Sequence, residues 1–233
     1  MSAQSVLLAF DTATEYCSVA IAVDNQLFSK TEKLGNAHSE YLLPWIDELA
    51  REANIRLKNI DGIIFSAGPG SFTGLRIACG VAQGLGYGLD KKLLPTSTLK
   101  TLAFHYRQQG QRIAVLNDAR MSECYAAIYE SDDHNEFKTI CSEQLIKPNQ
   151  VFDWLTLNRV DFVTGTAIGV YDMRLETFQT EYSHPKADYM IEWCRGCAQE
   201  ADKLWIEPDK AAPLYIRDHV ALTINERREG LKL

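Results

Sequence analysis

Two stretches of this chain are written in the same way, and that repetition limits its possible folds more than any other feature. "AFDTATEYCSVAIAV" in the first half is matched by "VLNDARMSECYAAIY" in the second. Each is an apolar run that ends in aspartate, passes a short polar turn and re-enters as a cysteine-containing apolar run. Further along, "IDGIIFSAGPG" is echoed by "VDFVTGTAIG". Asp11 and Asp118 lie 107 residues apart (118 − 11), and Asp61 and Asp161 lie 100 apart (161 − 61). Two echoes at nearly one offset point to internal duplication. The alternative is that α/β chains contain many apolar strands ending in Asp.

The first half reads as β-β-β-α-β-α. Residues 5–11 and 16–23 are apolar strand patterns, and Asp24-Asn25 before "QLFSKTEK" is a hairpin signal. A helix is expected from about Ser39 to Ala53, a strand over 60–66 and a glycine-rich helix to about residue 89. A short strand near "LLP" and a helix from about Ser97 to Arg107 follow. Two such halves facing one another resemble the actin, Hsp70 and sugar-kinase architecture, an α/β fold of tandem ribonuclease H-like lobes. The expected divisions are an N-terminal lobe (1–107), a reduced second lobe (108–217) and a C-terminal tail (218–233). In that superfamily the turn after each first strand holds nucleotide phosphates. Here Asp11-Thr12-Ala13-Thr14 has alanine where D-x-G-x-T has glycine, which restricts the backbone and puts a methyl in the way. Asp118-Ala119-Arg120-Met121 has no glycine either.

Between them lies "AGPGSFTGLRIACGVAQGLGYGL", with Gly74, Gly80, Gly84, Gly86 and Gly88 inside one helical segment. Each helical glycine costs about 1 kcal/mol relative to alanine, so five cost roughly 4 to 5 kcal/mol. Gly80, Gly84 and Gly88 fall at i, i+4 and i+8 and form one bare ridge, beside an expected core stripe of Ile77, Val81 and Leu85. In "SEYLLPWIDELAREA", Leu42, Ile46, Leu49 and Ala53 form an apolar stripe, and Tyr41, Leu43 and Trp45 add apolar surface outside it. Two neighbouring helices with more apolar surface than one core requires fit a helix-bundle interface with a second protein. The alternative is that both pack within the monomer. The Gly68-Pro69-Gly70-Ser71 turn could present N–H groups to an anion, but it lacks a Walker lysine and reads equally as a packing turn.

Composition excludes other classes. With 46% hydrophobic and 24% charged residues the chain is ordinary for a globular protein. A net charge of −7 argues against tight nucleic-acid binding by this chain alone. The apolar run near the start, "VLLAF", is five residues long and follows no basic region, so a strand is expected there, neither a signal peptide nor a membrane span. Six scattered cysteines read as reduced core thiols of a cytoplasmic protein. Cys194 and Cys197 have C-x-x-C spacing, but no second metal-ligand pair accompanies them.

The strings "LLAFDTAT", "HSEYLLPWI", "AGPGSFTGLRIACGVAQGL", "PTSTLKTLA", "NDARMSECYAAIY" and "APLYIR" occur in this order between residues 7 and 217. Together they closely resemble the TsaB, or YeaZ, family. The resemblance implies a non-catalytic scaffold that activates TsaD in forming threonylcarbamoyladenosine beside the tRNA anticodon, with no cofactor or metal of its own. Implied partners are TsaD through the two helices after the first hairpin, the TsaE ATPase in a ternary complex, and a second copy of the chain when alone. tRNA would be reached only through the complex, and no membrane is involved. The interface residues so implied are Tyr41, Leu42, Trp45, Thr73, Arg76, Ile77, Gly80, Gly84, Tyr87 and Gly88.

TsaD-type proteins carry an H-x-x-x-H metal pair after the equivalent helix. In the same register this chain has Thr98 and Leu102, which cannot replace imidazole ligands. Two other readings are an actin-like ATP-dependent enzyme and a metalloprotease. The first meets the altered phosphate turns, and the second would need ligands or a nucleophile–base pair. His38-Ser39-Glu40 gathers three polar groups, but Ser39 is more simply a helix N-cap.

Overall fold

Two five-stranded mixed sheets carry the duplication. In the computed structural model, residues 5–131 and 137–217 are described, and the expected tail 218–233 lies outside them. The first sheet contains β1 (Val6–Asp11), β2 (Tyr16–Val23), β3 (Gln26–Lys33), β4 (Gly62–Gly68) and β5 (Leu93–Ser97), in the order β3-β2-β1-β4-β5. The second contains β6 (Arg112–Asp118), β7 (Cys124–Ser131), β8 (Phe137–Ile146), β9 (Phe162–Thr164) and β10 (Gln179–Glu181), in the order β10-β9-β6-β7-β8. In both, a three-stranded antiparallel meander continues into two parallel strands. This is the actin-like arrangement, made twice.

The echoed aspartates make the same bonds in both halves. Asp61 Oδ2 accepts from the Val6 amide at the start of β1 at 2.8 Å, and Asp161 Oδ2 accepts from the Arg112 amide at the start of β6 at 2.8 Å. Their own amides return the bond to the Val6 and Arg112 carbonyls. Each pair sets the register between the central strand and its parallel neighbour. At the other end, Asp11 Oδ1 accepts from the Ala13 amide and Asp118 Oδ1 from the Arg120 amide, both at 2.8 Å.

The helices bind the sheets together. On the outer face of the first sheet lie α1 (His38–Glu52) and α2 (Phe72–Leu89). The outer face of the second carries α4 (Pro148–Leu157). Between the sheets are α3 (Thr98–His105), from the first half, and α5 (Ala187–Gly196), from the second. They are exchanged: α3 packs on β6 and β7, and α5 packs on β1 and β2. A short α6 (Ala198–Ala201) follows, and Ile206 pairs with Leu93 along the β5 edge. Where α2 stands in the first half, the second half makes only a 3₁₀ turn at Thr166–Gly169 and continues irregularly to Phe178. Among the described residues no helix is long and apolar enough to cross a membrane.

Two local expectations change. The first helix begins at His38 with Ala37 at its N-cap, and Ser39 is exposed without a capping bond. The strand expected over 60–66 is shifted to Gly62–Gly68, because Ile60 and Asp61 belong to the turn that bonds to Val6. All six cysteines are unpaired thiols. Burial pushes the Cys194 thiol up to about 11, which leaves it protonated beside Cys197.

The two strand-end aspartates differ in environment. Asp118 also accepts from the Tyr171 hydroxyl at 2.7 Å and pairs with Arg120 at 3.2 Å. Asp11 is 1% exposed, and its Oδ2 has no hydrogen-bond partner among the described residues. Burial pushes the Asp11 carboxyl up to about 7, against bonds from the Ala13 amide and the Ser66 hydroxyl that favour the carboxylate. An unfolded aspartate ionises near pH 3.9. Between about pH 4 and the folded value, the native state keeps a proton that the unfolded chain has lost. Stability therefore falls as pH rises through that window, by about 1.4 kcal/mol per pH unit.

Two outcomes are expected. Asp11→Asn flattens the slope of thermal stability against pH between about pH 4 and pH 7 and gains on the parent as pH rises; parallel curves would contradict the protonated, buried carboxyl. Asp61→Ala costs about 1–3 kcal/mol in urea denaturation. Asp161→Ala costs less, because the bond it removes is exposed and water can replace it.

Candidate functional site: the outer face of two helices

The polypeptide places α2 by excluding side chains. A Cβ at Gly74 would run into the Thr12 carbonyl oxygen, and one at Gly86 would lie 2.9 Å from Pro208 and 3.0 Å from Leu93. Thr12 Oγ1 donates to the Gly74 carbonyl at 2.8 Å, and Ser71 caps the helix by accepting from the Gly74 amide at 3.0 Å. The buried stripe is Leu75, Ala78, Cys79, Ala82 and Gly86. Ile77, Val81 and Leu85, expected in the core, are only partly buried along its flank. Glycine is required at 74 and 86 because the helix backbone lies so close to its neighbours there, while Leu75, Ala78, Cys79 and Ala82 fill the rest of the inward face.

With that stripe inside, Thr73, Arg76, Gly80, Gly84, Tyr87 and Gly88 face outward together. A Cβ at Gly80, Gly84 or Gly88 would meet nothing within 4 Å. Among the described residues, nothing covers the strip. Tyr87 stands at one end with 64% of its surface exposed. At the other end Arg76 lies over the Phe72 ring at 3.7 Å and donates from Nε to the Tyr215 hydroxyl at 2.9 Å. Phe72 and Tyr215 pack with ring centroids 5.2 Å apart.

The neighbouring α1 contributes less than expected. Tyr41 and Leu43 are exposed, but Leu42 and Trp45 belong to the core, with 1% and 4% of their surface accessible. Trp45 is roofed by the Lys30 ammonium, 5.1 Å from the ring, and Lys30 pairs with Glu48. Phe72 and Tyr215 were not among the residues expected at the site. Phe72 carried the signal of an apolar first helical residue beside a polar cap, whereas Tyr215 lies 139 positions from Arg76 and had no local signal. His38 is buried, with Nε2 at 3.2 Å from the Tyr16 carbonyl, while Ser39 and Glu40 are exposed. These three groups do not converge.

A second concavity, a cleft of ≈ 590 Å³, opens between the sheets where an actin-like fold holds nucleotide. The first turn does not fit a phosphate. The Thr12 amide donates to Ser66 Oγ, the Ala13 amide to Asp11 and the Ser71 amide to the Ala13 carbonyl. The Gly70 backbone is pressed against Ala13, where the phosphate would approach. In the second turn the Arg120 amide is engaged by Asp118, and Arg120, Met121 and Ser122 are all left-handed, with φ of 62°, 54° and 57°. Arg217 supports this turn by pairing with Glu123 and contacting Met121 Sδ. The positions of the H-x-x-x-H pair are also in use. Thr98 donates to the Pro69 carbonyl, and Leu102 is fully buried.

Comparison with known proteins gives this chain a family. Residues 25–165 match the profile described as "TsaD: tRNA N6-adenosine threonylcarbamoyltransferase". The tRNA threonylcarbamoyladenosine biosynthesis protein TsaB of Haemophilus influenzae is 34% identical over 226 residues, covering 92% of this chain and 94% of the relative. Its Escherichia coli counterpart is 32% identical over 223 residues, covering 92% and 96%. Among solved structures, YeaZ from Pseudomonas aeruginosa superposes with a TM-score of 0.77 at 32% identity, covering 91% of this chain and 99% of that one. With this similarity across nearly its whole length, the chain belongs to the TsaB (YeaZ) family.

Proposed function

We propose that this chain is a non-catalytic subunit in the biosynthesis of threonylcarbamoyladenosine on tRNA, docking TsaD through the outer faces of α1 and α2. The observation that carries this reading is the open glycine strip. Gly80, Gly84 and Gly88 give up about 3 kcal/mol of helix propensity together, and none of the described residues uses the space they leave. A helix backbone from a partner can approach such a strip closely, while Tyr87 at one end and Phe72 with Tyr215 at the other frame it with aromatic anchors. When TsaD is absent, the same strip serves self-association. TsaE joins through the assembled complex, and tRNA is reached in the same way.

The accessory role is supported by residues present where catalytic groups would stand. A core leucine and a hydrogen-bonded threonine occupy the metal-pair positions, and the first phosphate turn is closed on itself. Names given to the relatives place them in the same biosynthesis.

Gly84→Leu separates fold from docking. Leucine is the better helix former by about 1 kcal/mol and meets open space, so the monomer should melt at the same or a higher temperature. Association with TsaD, followed by size-exclusion chromatography and calorimetry, should be lost. Unchanged association would remove α2 from the interface. Trp45→Ala should act the opposite way, costing about 3–5 kcal/mol of stability through the core, with docking weakened only in proportion to unfolding.

A further inference from the structure

At the end of the first sheet opposite the cleft, the connection after α1 and the turn after α2 enclose a recess of ≈ 500 Å³. Arg56, Lys58 and Lys91 line it, and none of the three has an ion-pair partner among the described residues. Asp61 is the one acidic side chain in the lining, and its Oδ2 is already engaged by the Val6 amide. Asn54 and Asn59 add two side-chain amides. The chain as a whole has 31 acidic and 24 basic side chains, so a recess lined by three unpaired cations and one engaged carboxylate runs against its general balance.

We propose that this recess binds two linked phosphate groups, either a small diphosphate or successive phosphates of an RNA backbone. An arginine supplies a planar pair of donors and the lysines supply compact charges, the combination that recognises phosphate oxygens. Three cations from two separate chain segments, spread around this volume, match more charge than one phosphate carries. The asparagine amides can donate to the bridging or ester oxygens. Lys91, just past the end of α2, also complements that helix's dipole, but Arg56 and Lys58 lie beyond the last turn of α1, which closes at Glu52. The recess lies beside the docking strip, not on it, and its occupancy does not depend on TsaD binding.

The full-length protein is titrated calorimetrically with sodium pyrophosphate and, separately, with a single-stranded oligouridylate over a range of salt concentrations. Arg56→Gln and Lys91→Gln are compared with Lys147→Gln, a control at the start of α4. At least one probe should bind, and each recess variant should weaken it about tenfold, as expected for one lost charge-assisted hydrogen bond. The control should not. For the oligonucleotide, three cations give a slope of log K against log salt of about −2, reduced by about 0.7 in each variant. Tighter binding of pyrophosphate assigns the recess to a small ligand, and tighter binding of the oligonucleotide assigns it to RNA. Binding of neither probe, or binding indifferent to the two variants, overturns the proposal. So does a change in melting temperature with no change in binding, which would leave the cations with a role in the fold alone. TsaD association of the same variants should be unchanged, so failure here is distinguishable from failure of the docking reading.

Discussion

The backbone contact between the turn after β1 and the first turn of α2 governs the rest of this structure. Gly74 has no room for a Cβ beside the Thr12 carbonyl, and the Thr12 hydroxyl is bonded to the Gly74 carbonyl in return. This contact fixes where α2 starts and how it is rotated about its axis. Once Gly74, Ala78, Ala82 and Gly86 are turned inward, helical geometry obliges Gly80, Gly84 and Gly88 to face away. The same contact closes the turn that would otherwise cradle a phosphate. One packing arrangement thus closes the first turn against a phosphate and leaves the glycine strip facing outward.

The two halves are held as a unit by exchange. Each sheet is covered on its inner face partly by a helix from the other half, so α3 and α5 share one apolar cluster with both sheets. Polar links reinforce it. Glu143 from β8 reaches Ser97 at the start of α3, and the Ala187 amide at the start of α5 donates to Ser18 on β2 at 2.8 Å. The cleft lies outside that cluster, walled by the turns after β1 and β6, the start of α2 and the segment 214–217. The left-handed run at Arg120–Ser122 costs about 1–3 kcal/mol per residue and is supported by Asp118, Glu123 and Arg217.

Much of this was legible in the residues. The duplication was visible at Asp11/Asp118 and Asp61/Asp161 because each aspartate fills a backbone hydrogen-bonding role that its position in the repeat imposes. The glycine strip was visible because a period of four in a helix makes a ridge whatever surrounds it. Trp45 was misread as outward-facing, although it lies three residues after Leu42 and four before Leu49, within the wide arc that a buried helix face covers. Ile77, Val81 and Leu85 look like core by size, but the Gly74–Thr12 contact turns Leu75, Ala78, Cys79, Ala82 and Gly86 inward and leaves those three on the flank. The exchange of α3 and α5, the meeting of Arg76 with Tyr215 and the gathering of Arg56, Lys58 and Lys91 depend on long-range placement, for which no local pattern exists.

A docking role for the open strip of α2 is decided by amide hydrogen exchange on the full chain, with and without TsaD. The account requires slower exchange in the outer positions of α2 from Gly80 to Gly88 and at the exposed start of α1, with α4 unchanged. Protection confined to α4 and the second sheet, with α2 exchanging as in the free protein, would contradict it.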